Sequence, residues 1–259
     1  MKKNFFLIST FYLWFFLISK SGTIVAQGWK DHPMDSKMTE IWEPEVPVVI
    51  PGNVPEDPPS DAIILFNGEN LGLEWTNGDG TGQPDWLVGE GCVTVVKGKG
   101  SIKTKRNFND FQLHIEWRTP AEVVGEGQRR GNSGVYLQGI YEVQIMDSYK
   151  NKTYINGQAA SIYKQYAPLA NACKGPGQWQ VYEIIYTAPR FRDNGTYFTP
   201  PYVTIIHNGV LVQNHVAVRG PGVVAGIPEY FVTSHGAGPI LLQDHGTPVS
   251  FRNIWIRDL

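Results

Sequence analysis

Residues 131–149, GNSGVYLQGIYEVQIMDSY, contain two short alternating runs, 135–138 and 141–146, joined at Gly139-Ile140. A period of two sends successive side chains to opposite faces of a sheet. In the second run Tyr141, Val143 and Ile145 share one face and Glu142 and Gln144 the other, with Asp147 where the strand runs out. In the first, Val135 and Leu137 oppose Tyr136 and Gln138. One side of the hairpin is therefore apolar and the other carries an acid, amides and a phenol. A mid-strand Glu is a poor β-former, so Glu142 calls for a surface or site role. An ordinary solvated face is the competing explanation.

The same period recurs outward from this hairpin. FQLHIEWR, 111–118, sets Phe111, Leu113, Ile115 and Trp117 against Gln112, His114, Glu116 and Arg118. Strand signals lie at 86–88 and 92–96 around Gly89-Glu90-Gly91, at 179–186, at 240–243 and at 251–257. Two β-runs, 202–207 and 210–213, flank Asn208-Gly209, a strong hairpin signal. Long helical periodicity and repeats of 20–50 residues are absent. The pattern predicts an all-β sandwich of two antiparallel sheets.

Before the domain, residues 1–26 read as a signal peptide. Lys2 and Lys3 precede an apolar run of about fourteen residues, short for a membrane span, and a polar stretch ends at Ala26. No Cys stands directly after the presumed cleavage point, which argues against a lipoprotein anchor. The chain is therefore expected to be exported, with no stable membrane span after processing. Residues 27–60 hold Pro33, Pro44, Pro47, Pro51, Pro55, Pro58 and Pro59 and form an extended arm, with Trp29 and Trp42 to lie along a surface. The domain proper, 61–259, is long enough for a sizeable core. A formal net charge of −2 gives no reason to expect nucleic acid as a partner. Cys92 and Cys173 are the only cysteines, without zinc-site spacing, and read as buried thiols.

If the 111–118 strand lies beside the 131–149 hairpin, His114, Glu116 and Arg118 join Tyr136, Gln138, Glu142 and Gln144 on one polar surface. That set is acid/base machinery or a salt-bridged outer face. His207, His235 and His245, with Asp244, Asp147 and Glu142, offer nitrogen and oxygen donors for a divalent metal, although a lone His is more often structural. No HExxH, GxSxG, P-loop or dinucleotide fingerprint is present, and no organic cofactor is expected.

FNGENLGLEW, FQLHIEWR, GNSGVYLQGIYEVQIMDSY, PLANACKGPGQWQVYEIIYTAPRF, VTIIHNGVLVQNHV and GPILLQDHGTPVSFRNIWIR together resemble the 3-keto-disaccharide hydrolase family, in the family's order, over residues 61–259. The resemblance implies a concanavalin A-like jelly roll, a former domain of unknown function common in exported proteins of Bacteroidetes and Planctomycetes. It also implies cleavage of glycosides already oxidised at carbon 3. The ketone acidifies the carbon-2 proton, a base removes it, the enolate expels the group on carbon 1, and water adds to the alkene. A base near neutral pKa, an electrophile for the enolate oxygen and sugar-orienting donors are required. A divalent metal (Ca, Mg, Mn or Zn) would serve as electrophile.

Under this reading Glu142 is the first choice for base or metal ligand, then Glu116, with His114, His207 and His245 competing. Arg118, Asn132, Gln138 and Gln144 orient the sugar, Tyr136 and Trp117 stack on it, and Asp147 joins the metal or caps a turn. The expected partners are an oligosaccharide or glycoside substrate and a co-functioning sugar 3-dehydrogenase. The expected location is the periplasm or outer surface of a Gram-negative bacterium. Two other readings stay open: a carbohydrate-binding module without a base, and a conventional glycoside hydrolase.

Overall fold

The structure, a computed structural model of the chain, describes residues 36–225 and 234–259. The signal-peptide reading of 1–26 lies outside the described residues. The chain divides into two units, 1–47 and 48–259. The described part of the first is exposed and has one 3-10 turn, Ser36–Thr39. Of the proline-rich stretch, residues 48–60 belong to the second unit.

That second unit is an all-β, concanavalin A-like jelly-roll sandwich. Its strands are β1 (Ile63–Phe66), β2 (Trp75–Asn77), β3 (Leu87–Gly89), β4 (Cys92–Thr94), β5 (Ile102–Thr104), β6 (Phe111–Arg118), β7 (Asn132–Leu137) and β8 (Tyr141–Met146). They continue as β9 (Gln180–Thr187), β10 (Arg190–Phe191), β11 (Tyr197–Thr199), β12 (Tyr202–His207), β13 (Val210–Ala217), β14 (Leu241–Leu242) and β15 (Ser250–Asp258). The larger sheet runs β13-β12-β9-β6-β15-β4-β3, with β1 also on β15, and the smaller runs β2-β5-β14-β7-β8. β10 and β11 form a separate ribbon. Every strand pairing is antiparallel.

Alternation sets what lies between the sheets. Phe111, Leu113, Ile115 and Trp117 of β6 are buried with Tyr182, Ile184 and Tyr186 of β9, opposite Val135, Leu137, Val143 and Ile145 of the smaller sheet. Removing one large aromatic side chain here would cost about 3–5 kcal/mol. Two phenols also stitch the layers polar-to-polar. Tyr182 Oη donates to the Gln144 carbonyl at 2.8 Å, and Tyr186 Oη to Gln138 Oε1 at 2.8 Å. These bonds fix the height of β8 and of the turn before it.

Three local devices shape the outer faces of the two sheets. The β12–β13 turn places Asn208 and Gly209 at φ 51° and 80°, the left-handed geometry that Asn-Gly tolerates best. In β15 a bulge between Arg252 and Trp255, with Asn253 at φ 45°, turns both Arg252 and Asn253 to the outer face of the larger sheet. Finally, the chain after β8 returns alongside it: Tyr163 N donates to the Glu142 carbonyl, Ala160 N to the Gln144 carbonyl, and Gln144 N to the Ser161 carbonyl. This return widens the smaller sheet beyond β8.

Candidate active site

The β7–β8 register sets Tyr136 opposite Glu142 and Gly134 opposite Gln144. Because Val135, Leu137, Val143 and Ile145 go inward, Tyr136, Glu142 and Gln144 emerge together on the outer face of the smaller sheet. Opposed side chains start about 5 Å apart. Tyr136 accordingly stands beside the Glu142 carboxylate, and its hydroxyl accepts from Gln243 Nε2 at 3.0 Å. Gly134 lets both side chains pack down onto the strand: a Cβ there would lie 2.8 Å from Glu142 Oε1 and 3.0 Å from the Tyr136 ring.

The returning chain forms a wall. Tyr154 and Tyr163 join hydroxyl to hydroxyl at 2.9 Å, with Lys164 Nζ 5.8 and 5.7 Å from their ring centres. Gly222 approaches from above, where a Cβ would stand 3.0 Å from Glu142 Oε2 and 3.7 Å from the Tyr163 ring. Glu142 is left 6% exposed. Among the described residues no ion pair engages it. Burial therefore raises its pKa to about 7, against a smaller lowering by the Tyr136 bond. Burial and the adjacent carboxylate push the Tyr136 phenol far above its usual range, so it stays a neutral donor. A carboxyl group titrating near neutrality, with a phenol fixed beside it, is suited to proton transfer.

Below this pair lie three amides. Asn132 Nδ2 donates to the Gln128 carbonyl at 3.0 Å, and Gln144 Nε2 to Gln128 Oε1 at 3.1 Å. Gln128 is itself held, its Nε2 donating to Thr153 Oγ1 and the Gly157 carbonyl at 2.9 and 2.8 Å. The oxygens of Asn132, Gln144 and Gln243 are buried without a protein partner.

The remaining expected residues lie elsewhere. β6 pairs with β9 and β15, so His114, Glu116 and Arg118 project from the outer face of the larger sheet, across the sandwich from Glu142. The expectation of one shared polar surface is corrected: alternation fixes which residues of a strand share a face, not which sheet the strand joins. There, His114 Nδ1 hydrogen-bonds Glu183 and its ring stacks on Trp255 at 5.1 Å. Glu116 accepts from Arg252 Nε at 2.6 Å and Asn253 Nδ2 at 3.0 Å. Burial opposes the His114 charge, but the bonds to Glu116 and Glu183 outweigh it and raise its pKa to about 9. Burial likewise acts against the Glu116 charge, yet its bonds to His114, Asn253 and Arg252 bring it down to about 2. Arg118 packs over the Trp179 ring at 4.6 Å. The Glu56 carbonyl accepts from Asn253 Nδ2 and Trp255 Nε1 at 3.0 and 3.1 Å, which closes the network from outside. This is the salt-bridged outer face weighed as the alternative.

His207 points inward, 1% exposed, against Trp117 and Tyr182, and burial lowers its pKa to about 3. A neutral imidazole and a Trp117 sealed between sheets cannot touch a sugar. Gln138 sits in the hairpin turn at φ 53° and spends its amide on the Phe108 carbonyl and Tyr186. Asp147 faces Arg130 Nε at 3.3 Å and accepts from Tyr149 N at 3.2 Å, which is the turn-capping role. His245 is exposed on the loop after β14. Cys92 is a buried free thiol, whereas Cys173 is a free thiol only half-buried.

Glu142, His245 and Asp147 are thus not drawn into a metal shell, and no group of three His, Cys, Asp or Glu side chains among the described residues is placed to hold an ion. The Asp147 carboxylate already has its cation in Arg130. Glu142, His245 and Asp147 therefore do not share one shell. Gln128, Gly134, Tyr154, Tyr163, Gly222 and Gln243 were not singled out from sequence. Tyr154 and Tyr163 lie in a stretch, residues 151–172, that is rich in Tyr, Gln and Asn.

This all-β sandwich with an enclosed, near-neutral carboxylate is glycosyl hydrolase-like by the family and the solved structure it matches. Residues 61–257 match the 3-keto-alpha-glucoside-1,2-lyase-like domain, and the chain belongs to that family. The crystal structure of a "putative glycosyl hydrolase" from Parabacteroides distasonis is 53% identical and superposes with a TM-score of 0.82, covering 87% of this chain and 97% of its own. A second structure so described from the same organism is 23% identical at a TM-score of 0.54, covers 77% and 94%, and shares the fold. No curated protein matches the chain.

Proposed function

We propose that this protein is an exported enzyme that cleaves 3-keto-glycosides by elimination across carbons 1 and 2, with Glu142 as the base. The observation that carries the reading is Glu142 itself: an enclosed carboxyl, raised to about 7 by burial and set beside a neutral phenol. Its ionised form takes the carbon-2 proton, which the carbon-3 ketone has acidified. The C–H electrons pass into the enolate, the bond from carbon 1 to the leaving oxygen breaks, and that oxygen departs as an alcohol with the proton that Glu142 took from carbon 2. The Tyr136 hydroxyl, which cannot ionise in this setting, orients the carboxylate that abstracts the proton. Water then adds to the carbon–carbon double bond.

The geometry disfavours two-carboxylate chemistry, which needs its pair about 5 to 9.5 Å apart. Among the described residues the next acid along β8, Asp147, is five residues on, roughly 17 Å at strand spacing, and Glu116 and Glu183 lie on the opposite face of the sandwich. A pure binding module has no use for a carboxyl tuned to neutrality. Export is supported by Lys2, Lys3 and the apolar run after them, and no helix among the described residues is long and apolar enough to cross a membrane. A 3-keto substrate also requires an upstream sugar 3-dehydrogenase. The test is Glu142→Gln assayed on a 3-keto-glucoside. Loss of turnover in a folded variant is expected; wild-type turnover removes Glu142 from the mechanism.

A further inference from the structure

The strand register carries the Glu142 site across the smaller sheet. Glu142 is opposite Tyr136, Tyr136 opposite Leu241, Leu241 opposite Lys103, and Lys103 opposite Thr76. Directly opposed residues point to one face, so these five side chains form a single row on the outer surface. Neighbouring strands lie 4.7–4.9 Å apart, which sets Lys103 about 14 Å from Glu142, three strands away. Tyr136, Leu241 and Lys103 are each half-buried, so the row is open to solvent along its middle. At the Glu142 end it is closed by the Tyr154–Tyr163 wall and by Gly222 above. A ligand whose sugar ring meets Glu142 therefore lays the rest of its length over Tyr136, Leu241 and Lys103.

The far end of the row is a cavity of about 520 Å³, whose lining includes Thr76, Gly80, Gln83, Lys103, Lys105 and Asn107. The Thr76 hydroxyl is spent on the Gly82 carbonyl at 2.7 Å, and Lys105 Nζ donates to the Gly72 carbonyl at 2.6 Å. Lys103 Nζ lies under the Gly80 turn, where a Cβ would stand 3.1 Å from it. Among the described residues neither lysine forms an ion pair. The acid that the Lys103 charge does reach is Asp79, which is exposed and already accepts from the Thr81 N–H and hydroxyl at 2.7 and 2.8 Å. Two ammonium groups against that one carboxylate leave a positive charge in excess at the cavity wall.

We propose that Lys103, with Lys105 beside it, is a specificity-determining residue that binds a carboxylate at the far end of an elongated leaving group, whose uncharged middle rests on Leu241. The proposal deepens the reading of Glu142 as the sugar-cleaving end of the row and rests on it. A single excess positive charge suits a monoanion. At about 14 Å the bound carboxylate stands beyond the screening length of about 8 Å at physiological salt, so it scarcely opposes the ionised form of Glu142. The substrate class is a glycoside with an acidic aglycone, longer than one ring.

The test reads binding of unoxidised ligands, so its failure leaves the 3-keto chemistry to its own assay, and failure of that chemistry leaves this result standing. Calorimetry on the full chain would compare para-carboxybiphenyl glucoside with its carboxamide twin, each as both anomers. We expect the carboxylate to bind about fivefold more tightly at low salt, the upper range for a half-exposed ion pair. The preference should fade between about 0.01 M and 1 M salt, as the screening length shrinks from about 30 to 3 Å. In Lys103→Gln the twins should bind alike, and Lys103→Glu should reverse their order, a change of ratio that a packing defect does not produce. A wild-type preference below twofold would overturn the proposal, as would a preference that survives in Lys103→Gln. No binding of either twin up to about 10 mM would overturn it too.

Discussion

Gly134→Ala separates a site effect from a folding effect. Gly134 has an extended backbone that alanine adopts freely, and glycine in a strand carries an entropic penalty of about 0.5–1 kcal/mol. On backbone grounds alone the variant should be as stable as the wild type, or slightly more so. The new methyl group, however, would sit 2.8 Å from Glu142 Oε1, 3.0 Å from a Tyr136 ring carbon and 3.2 Å from Glu142 Cγ. Carbon and oxygen need about 3.3 Å, so the carboxylate must move by roughly half an ångström or rotate off the phenol. Displacements on that scale cost a proton-transfer step about 10- to 100-fold. Paired measurements of Tm and of kcat/KM on a 3-keto-glucoside check this. We expect Tm within a few degrees and kcat/KM reduced 10- to 100-fold. Unchanged turnover would refute the link between the position of Glu142 and catalysis. A large fall in Tm would show Gly134 to be a packing requirement instead.

Other outcomes rest on the same structure. A carboxyl whose pKa is raised in the folded state destabilises the fold once it ionises, so Glu142→Gln should add up to about 3 kcal/mol above pH 7, at roughly 1.4 kcal/mol per pKa unit, and nothing near pH 4. Urea unfolding at the two pH values decides it, and a gain of equal size at both would contradict the burial account. The opposite face should bracket stability from both sides. The raised His114 contributes fully below its unfolded pKa of 6.5 and fades as pH climbs through about 9, while the lowered Glu116 contributes above 4.5 and fades as pH falls towards about 2. Removing the imidazole with His114→Phe should flatten the alkaline limb of the stability curve; an unaltered limb would show that His114 does not govern it. Asn253→Ala removes donors to Glu116 and to the Glu56 carbonyl and places alanine at φ 45°, so it should cost about 2 kcal/mol while leaving kcat/KM within twofold. A loss of activity without loss of stability would place that face in the reaction.

The β6 and β15 strands, both hairpins and the polarity of the β8 faces were legible because each rests on a local period of two or a local turn. Glu142 stood out for a related reason, as an acid where strand propensity argues against one. Which strands share a sheet was not legible. FQLHIEWR pairs with residues 180–187 and 250–258, long-range choices on which alternation is silent, and so His114 and Glu116 were grouped with the wrong face. His207 misled because its face of β12 is the inward one, where a Trp and a Tyr can bury a neutral imidazole. The wall built from Tyr154 and Tyr163 has no period, since it runs beside β8 only for a few residues. Its role emerges from the backbone bonds to the Glu142 and Gln144 carbonyls.

The most direct measurement of the central claim is a turnover assay in deuterated water with matched 3-keto and unoxidised disaccharides, following carbon-2 deuterium and products for wild type and Glu142→Gln. The account predicts exchange and cleavage of the 3-keto sugar alone, rising with pH to a plateau above about 7, and neither event in the variant. Cleavage of the unoxidised disaccharide at a similar rate, or carbon-2 exchange that persists in Glu142→Gln, would contradict it.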